Sequence, residues 1–335
     1  MFREAAEAPL LVRAQLTANA ARVAQLAERL RRSPPRAVVT CARGSSDHAA
    51  TFARYLIETR LGLLTSSAAP SVSSVYEAAP DLAGTLMLTI SQSGASPDIL
   101  AVVSRARAAG ALIVAMVNAE GSPLAQLADE LLPLHAGPER SVAATKSYIA
   151  SLAAIVQLVA EWAGDAPLAA ALQQADAQLA RAWQLDWSAG VARLAAASNL
   201  YVIGRGLGLA IAQEAALKFK ETCGLHAEAV SAAELRHGPM ALVRSGFPVL
   251  IFTQNDESRA GVVQLAGELA AQGADVLLAG ARFTRTTELP TEAAHPVIEP
   301  MLFAQSFYRM ANGLSLARGH NPDAPPHLNK VTETL

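Results

Sequence analysis

Short apolar stretches alternate with glycine-containing polar turns and amphipathic stretches along most of the chain. Residues 36–42 are mainly apolar and are followed by Gly44-Ser45-Ser46 and a helical pattern. Residues 85–90 are also apolar, and Ser91-Gln92-Ser93-Gly94 follows them before Ser96-Pro97 opens another helical stretch. Ser at an N-cap and Pro at the first helical position are strong helix-start signals. This alternation predicts a parallel sheet with helices on both faces.

Further segments of the first half predict elements of the same kind. Residues 112–117 and 130–134 are apolar enough to form a third and a fourth strand. Residues 8–32 have Leu and Val at helical spacing among polar residues, which predicts an amphipathic helix in a leading arm. The most apolar stretch, residues 147–162, is shorter than a membrane span, so we expect a helix buried inside the protein. Residues 168–197 are also expected to be helical.

The strand and turn pattern recurs in the second half of the chain at constant spacing. Arg43 and Gln92 have counterparts 162 positions later, Arg205 and Gln254, and both counterparts belong to the same strand and turn pattern. Equal spacing of two independent landmarks indicates an internal duplication. We therefore expect an α/β protein with two tandem doubly wound parallel-sheet domains. The expected segments are an N-terminal helical arm over 1–35, a first domain over 36–163, a helical connector over 164–197, a second domain over 198–317 and a C-terminal tail over 318–335.

Composition and charge argue against several classes of function. The 335 residues are 52% hydrophobic and 17% charged, which favours a folded protein with extensive burial. A net charge of -2 without any Lys/Arg block gives no electrostatic footprint for nucleic acid or an anionic membrane. The start of the chain lacks a signal-peptide pattern, and Cys41 and Cys223 are too few for a disulfide framework, so we expect a cytoplasmic protein.

Several cofactor motifs are missing from the sequence. The histidines and cysteines show no metal-ligand spacing. Neither a Gly-x-Gly-x-x-Gly fingerprint nor a Walker lysine loop occurs, and Arg205-Gly-Leu-Gly208 falls short of a dinucleotide motif. We therefore expect chemistry without metal, flavin or nicotinamide.

The turn at residues 91–96 is a candidate phosphate site. It combines Ser hydroxyls, the carboxamide of Gln92 and backbone N–H groups at the start of a helix. Helix N-termini attract anions, and Gly94 allows the backbone to approach one closely. An ordinary polar turn in which Ser96 only caps the helix is the alternative. Ser45 and Ser46 favour the phosphate interpretation, because they follow the first strand at the same edge of the predicted sheet.

A row of charged residues lies on an otherwise apolar helical stretch in the second half. Spacings of four and three place Glu214, Lys218 and Glu221 on one helical face. Such a row is either a solvated stripe or a functional site. His237, in a turn with Gly and Pro, is a second candidate, because a carboxylate and an imidazole together supply base and acid for proton transfer. A lone histidine is, however, more often a structural hydrogen-bonding group.

Together these segments resemble the sugar isomerase (SIS) domain family. The resemblance is closest to the isomerase half of glucosamine-6-phosphate synthase and its stand-alone deaminase relatives, and it covers nearly the whole chain. The matching motifs are Glu4 with Pro9, Gly44-Ser45-Ser46, Ser91-Gln92-Ser93-Gly94, Glu139 to Lys146, Ala216 to Glu221, Ala233 to Pro239, and Asn329-Lys330. The resemblance implies a flavodoxin-like SIS fold in both domains and a homodimer with shared active sites.

The resemblance also implies a role for each matching residue. The implied ligands of the substrate's phosphate and sugar hydroxyls are Ser46, Ser91, Gln92, Ser93, Ser96 and Glu139, with backbone contacts from Val142. Glu221 corresponds to the base that moves a proton between C1 and C2, and Lys218 to its cationic neighbour. His237 corresponds to the ring-opening acid/base, supplied by the other subunit. Lys330 corresponds to a tail lysine that closes over the substrate.

Two departures from the family pattern narrow the expected reaction. Ala144 stands where the family has Ser, so one hydroxyl contact is missing. Residue 2 is Phe instead of a nucleophilic Cys, and no glutaminase segment precedes the isomerase region, so we expect that glutamine is not the ammonia donor. The expected activity is an isomerising deaminase converting glucosamine 6-phosphate to fructose 6-phosphate and ammonia.

Other functions of this family stay open at this point. They are isomerisation or deamination of galactosamine 6-phosphate, deglycation of fructosamine 6-phosphates, and sugar-phosphate binding by a non-catalytic regulator. A regulator would need none of Glu221, His237 and Lys330, which separates it from the enzymes.

Overall fold

The computed structural model describes residues 1–78, 80–328 and 330, which form two compact units. The first unit comprises residues 10–139 and 147–173 with Lys330. The second unit comprises residues 1–9, 140–146 and 174–328. Each unit contains one five-stranded sheet. The domain boundaries expected from the sequence remain a prediction.

The first unit is built on a parallel sheet. Its strands are β1 (Val38–Cys41), β2 (Thr65–Ser67), β3 (Leu86–Ser91), β4 (Leu112–Val117) and β5 (Glu130–Pro133). They lie in the order β2-β1-β3-β4-β5, and all neighbours pair in parallel. Every residue of β3 is buried, and successive side chains of a strand point to opposite faces, so both faces of this sheet are covered.

The second unit contains a sheet of the same arrangement. Its strands are β6 (Asn199–Gly204), β7 (His226–Ser231), β8 (Pro248–Phe252), β9 (Asp275–Ala279) and β10 (Thr287–Leu289). They lie in the order β10-β9-β8-β6-β7, again all parallel. In each sheet the unit's first strand lies between its second and its third. Two tandem doubly wound parallel sheets of the flavodoxin-like order are therefore confirmed.

Helices connect the strands and cover the sheets. In chain order they are α1 (Phe2–Ala6), α2 (Ala8–Arg32), α3 (Ser45–Leu61), α4 (Pro70–Ser74), α5 (Pro97–Ala108), α6 (Pro123–Leu127), α7 (Lys146–Ala163), α8 (Ala166–Leu172), α9 (Ala175–Gln184), α10 (Ser188–Leu194), α11 (Gly208–Cys223), α12 (Arg259–Ala271) and α13 (Glu299–Ala317). Two short 3-10 helices span Glu234–His237 and Pro239–Leu242.

Each unit has an apolar core between its sheet and its helices. In the first unit, buried residues of β3 and β4 such as Met87 and Ile113 pack in one cluster with Val103 of α5. In the second unit, Ile251 of β8 packs in a cluster with Leu265 of α12. Burial of a side chain of this size stabilises a fold by about 1.5–3 kcal/mol. These cores hold the carboxyl ends of the strands in place.

Most predicted elements of the chain are confirmed, with one difference at residues 168–197. The buried apolar helix is α7, and among the described residues no helix combines the length and apolar character needed to cross a bilayer. The stretch at 168–197 is divided into α8, α9 and α10. The chain leaves helical geometry at Leu185, and the indole of Trp187 is buried and donates a hydrogen bond to the carbonyl of Pro290 at 2.7 Å.

Candidate active site

The serine-rich turn at residues 91–96 lies at the carboxyl end of β3 and leads into α5. Backbone N–H groups of residues 118–124 donate to the carbonyls of Ser91, Gln92 and Gly94 over 3.0–3.3 Å. Gly94 has a φ of +62°, and a Cβ built there would lie 2.2 Å from Oγ of Ser122. Only glycine fits this conformation and this space. The segment after β4 thus holds the turn in one shape.

The polar side chains of this turn differ in how they are used. The buried hydroxyl of Ser91 accepts a hydrogen bond from the N–H of Gly94 at 2.9 Å. Gln92, Ser93 and Ser96 are half-buried, so they remain accessible to a ligand. Ser96 is the N-cap residue of α5, but its side chain makes no capping hydrogen bond. The interpretation of Ser96 as only a helix cap is therefore not supported, and an anion is a suitable ligand for this turn.

Arg43 links the serine-rich turn to the turn after β1. Its Nε and Nη2 atoms lie 2.8 and 2.6 Å from Oδ2 of Asp98, in the first turn of α5. The carboxylate of Asp98 is fully buried, whereas Arg43 is 52% exposed. Ser46, in the first turn of α3, is half-buried. From the sequence Arg43 was identified only as a landmark of the duplication and not as a site residue, although it stands directly before Gly44 at the end of the first predicted strand.

Burial shifts the pKa of several ionisable groups. It raises the pKa of the Cys41 thiol to about 12, helped by the nearby carboxylate of Asp98. It raises the pKa of the Cys223 thiol to about 11. Burial also raises the pKa of Asp47, while the nearby His48 and Arg43 oppose that rise. Neither thiol is therefore a nucleophile at neutral pH. Across the described ranges, no group of three His, Cys, Asp or Glu residues is arranged to hold a metal ion.

Glu139 and Lys330 come together in the first unit. The buried carboxylate of Glu139 accepts hydrogen bonds from Oγ of Ser147 at 2.5 Å and from the N–H of Ser147 at 3.3 Å. Nζ of Lys330 lies 3.8 Å from Oε2 of Glu139. Asn329 and residues 331–335 of the expected tail lie outside the described residues. A direct contact of Glu139 or Lys330 with substrate remains a prediction.

Val142 lies on the loop 140–146, which belongs to the second unit. Its N–H donates to the carbonyl of Asp323 at 3.3 Å. The carboxylate of Glu4 accepts hydrogen bonds from the N–H groups of Arg140 at 2.5 Å and Ser141 at 3.2 Å. The leading arm therefore fixes this loop, and the backbone contact expected from Val142 would have to come from its carbonyl group.

The charged row on α11 forms a tight network in the second unit. Nζ of Lys218 lies 2.5 Å from Oε2 of Glu221 and 3.4 Å from Oε1 of Glu214. Tyr308 of α13 donates its hydroxyl to Oε1 of Glu214 at 2.9 Å. Lys218 is 0% exposed and Glu214 1%, whereas Glu221 keeps 21% exposure. The row is therefore not a solvated stripe, and within it Glu221 is the group that reaches solvent.

His237 lies on the surface of the second unit, at the end of the 3-10 helix Glu234–His237. Its imidazole is exposed and lines a cleft of about 410 Å³ together with Arg205, Arg236 and Ser258. An exposed imidazole is available to a ligand or to another protein molecule. The structure thus brings Lys218 and Glu221 into contact, while the role of His237 remains a prediction.

Known proteins resemble this chain over most of its length. Residues 33–161 and 193–279 match the SIS domain. Glutamine–fructose-6-phosphate aminotransferase (isomerizing) of Aeropyrum pernix is 35% identical over 310 residues, which are 86% of this chain and 49% of that protein. The protein of the same name from Pyrococcus horikoshii is 31% identical over 98% of this chain and 57% of its own length. This chain thus corresponds to about half of those relatives.

Solved structures give the same result. A protein of Silicibacter pomeroyi assigned as a phosphosugar isomerase is 44% identical, with a TM-score of 0.92 and coverage of 96% of this chain and 99% of that one. The C-terminal domain of glucosamine-fructose-6-phosphate aminotransferase from Francisella tularensis is 25% identical, with a TM-score of 0.86 and coverage of 96% and 97%. A glucosamine-6-phosphate deaminase of Thermotoga maritima, 21% identical with a TM-score of 0.76 and coverage of 99% of each chain, shares the fold. The chain therefore belongs to the SIS domain family.

Proposed function

We propose that this chain is an isomerising deaminase that converts glucosamine 6-phosphate and water to fructose 6-phosphate and ammonia. The observation that carries the proposal is the contact of 2.5 Å between Lys218 and Glu221, in which the lysine is fully buried and the glutamate is partly exposed. A proton shuttle between adjacent carbons needs one accessible carboxylate held in a fixed orientation. Glu221 meets both conditions.

The serine-rich turn supplies phosphate binding in this proposal. Gln92, Ser93 and Ser96 are accessible polar groups at the N-terminal end of α5, and that end carries a partial positive charge. Ser46 adds a hydroxyl near the start of α3, at the end of the neighbouring strand. Arg43 is partly exposed there, and its charge is shared with Asp98. Such a site suits a phosphomonoester that binds as substrate and is released as product after the reaction.

The proposed chemistry uses Glu221 twice. In the open-chain sugar the C1 aldehyde acidifies the C2 proton, which Glu221 removes, so that a C1–C2 double bond forms. Glu221 returns a proton to C1 while the amino group loses a proton and O1 gains one, which leaves a C1 hydroxymethyl group and an imine at C2. Water adds to C2, the C–N bond breaks and ammonia leaves, so one water is consumed and no oxidant or reductant is needed. The ammonium of Lys218, 2.5 Å from Oε2 of Glu221, holds that carboxylate in one orientation.

A substrate panel tests this reaction. Ammonia release is measured with glucosamine, galactosamine and N-acetylglucosamine 6-phosphates and with a fructosamine 6-phosphate, and glutamine with fructose 6-phosphate tests the aminotransferase reaction. We expect release from glucosamine 6-phosphate, and a loss of about 10²–10⁴-fold in kcat for Glu221→Gln, because a positioned base contributes that much. Glu228→Gln, an exposed carboxylate on β7, is the matched control. Release only from the fructosamine conjugate, or full activity of Glu221→Gln, would contradict the proposal.

We also propose that His237 opens the sugar ring at an active site of the partner subunit in a homodimer. Its exposed imidazole supports this role. Mixing the inactive Glu221→Gln and His237→Ala chains tests it, because a mixed dimer with shared sites contains one intact site. Random exchange should restore about a quarter of the unaltered activity. Mixed dimers without any activity would show that the two residues act in the same subunit.

A further inference from the structure

The structure contains a buried polar group next to the proposed base that the reaction above does not use. We infer that Glu214 and Tyr308 are positioning residues for proton transfer at Glu221. In this inference Tyr308 fixes Glu214, and Glu214 remains the counter-ion of Lys218 while Glu221 carries a proton. The inference rests on the proposed function, because it assigns these residues to the same proton transfer.

The geometry forms a continuous chain of contacts from α13 to the proposed base on α11. The hydroxyl of Tyr308 donates to Oε1 of Glu214 at 2.9 Å, and Nζ of Lys218 lies 3.4 Å from the same oxygen. Nζ of Lys218 also lies 2.5 Å from Oε2 of Glu221. Tyr308 and Lys218 are 0% exposed and Glu214 is 1% exposed. Because Tyr308, Glu214 and Lys218 are buried, their positions are set by packing and not by solvent.

Charge balance explains why a second carboxylate is useful at this place. Before reaction, two carboxylates share one ammonium group. When Glu221 accepts the C2 proton it becomes neutral, and the ammonium of Lys218 still has Glu214 as a charged partner. A buried charge that loses a partner is strongly disfavoured. Without the negative charge of Glu214, the ammonium of Lys218 would have lost both charged partners of this network once Glu221 carries the C2 proton, so we expect slower proton transfer.

Stability alone does not account for these residues. Phe219 of α11 and Phe307 of α13 are both buried, with ring centroids 5.1 Å apart, so apolar packing also joins the two helices. Apolar residues of similar volume generally stabilise such a contact as well as a buried ion pair does. A buried network of ionised groups beside an accessible carboxylate is instead typical of a functional site.

Three single variants test the inference: Tyr308→Phe, Glu214→Gln and the control Ser315→Ala. Ser315 is a matched control because it is buried on α13 and donates one side-chain hydrogen bond to α11, at the carbonyl of Thr222 over 2.6 Å. For each variant we would measure kcat and KM for ammonia release from glucosamine 6-phosphate, the affinity for fructose 6-phosphate by calorimetry, and the thermal midpoint.

We expect a selective loss of kcat. Tyr308→Phe should lower kcat about tenfold, since a hydrogen bond to a charged group is lost. Glu214→Gln should lower kcat about 100-fold, within the range that a positioned base contributes. KM and fructose 6-phosphate affinity should change less than about twofold in both variants, because the phosphate groups are untouched. Ser315→Ala should keep the kcat of the unaltered chain.

Each other outcome overturns a defined statement. Unaltered kcat in Tyr308→Phe and Glu214→Gln, in a chain that does release ammonia, would overturn this inference and leave the proposed function standing. If the loss of kcat is proportional to the fall in thermal midpoint in all three variants, the network has only a structural role, and the inference is overturned. If Glu214→Gln does not fold, Tyr308→Phe decides alone. No ammonia release by the unaltered chain would overturn both proposals.

Discussion

Replacing Gly94 by alanine tests whether the shape of the serine-rich turn is needed for binding. Gly94 has a φ of +62°, where an alanine costs about 1–2 kcal/mol. Its new Cβ would lie 2.2 Å from Oγ of Ser122, 2.7 Å from Cβ of Ser122 and 2.9 Å from Cγ2 of Val117. Val117 ends the buried strand β4 and Ser122 is the N-cap of α6, so the turn itself has to move, at about 1–3 kcal/mol. Together the two effects cost about 2–5 kcal/mol.

Gly62→Ala is the matched control for this prediction. Gly62 ends α3 in the same unit at a φ of +65°, with no atom within 4 Å of a new Cβ, so its replacement should cost only the conformational part, about 1–2 kcal/mol. Urea unfolding gives the stability of both variants, and calorimetry gives their affinity for fructose 6-phosphate. Gly94→Ala should be the less stable variant and should bind at least about tenfold more weakly, a difference of 1.4 kcal/mol. Equal stability and equal affinity of the two variants would refute the reasoning.

Two further predictions follow from the shifted pKa values. With pKa values of about 12 and about 11, the thiols of Cys41 and Cys223 are ionised to only about 0.01% and about 0.1% at pH 8. Ellman's reagent should label neither in the native protein and both in guanidinium chloride, and rapid native labelling would contradict their burial. The pKa of Asp47 is raised by burial, so the stability linked to its protonated form is lost as the pH rises through that raised value. Asp47→Asn should therefore raise the thermal midpoint at pH 7 but much less near pH 4, and a lower midpoint at pH 7 would contradict this sign.

Local patterns were sufficient to predict the strands and turns that position the candidate site. The apolar stretch at residues 112–117 is β4 residue for residue, because a strand buried on both faces leaves a continuous apolar run. Strand β2 at Thr65–Ser67 could not be found in this way, because it contains only hydroxyl side chains and is defined by pairing with β1. Pairing of that kind is a tertiary effect that no short window of sequence contains.

The candidate site was predictable where its contacts are local. The contact between Lys218 and Glu221 follows from a spacing of three on one helix. Tyr308 donates to Glu214 across 94 positions, and the fold brings the two together only when α13 packs against α11. Arg43 follows β1, and Asp98 lies in α5, which follows β3. The two residues meet because β1 and β3 are neighbours in the sheet. Contacts between distant segments therefore required the structure.

The most direct test of the account is proton exchange at the sugar carbons. Glucosamine 6-phosphate is converted in deuterated water, and the fructose 6-phosphate formed is examined for deuterium at C1 by NMR. Glu221 is partly exposed, so the proton that it takes from C2 exchanges with the deuterated solvent in some turnovers before a proton is returned to C1. The product of the unaltered chain should then carry deuterium at C1 in part of its molecules, and the Glu221→Gln chain should give neither product nor exchange. Deuterium incorporation by Glu221→Gln at the rate of the unaltered chain would contradict the account.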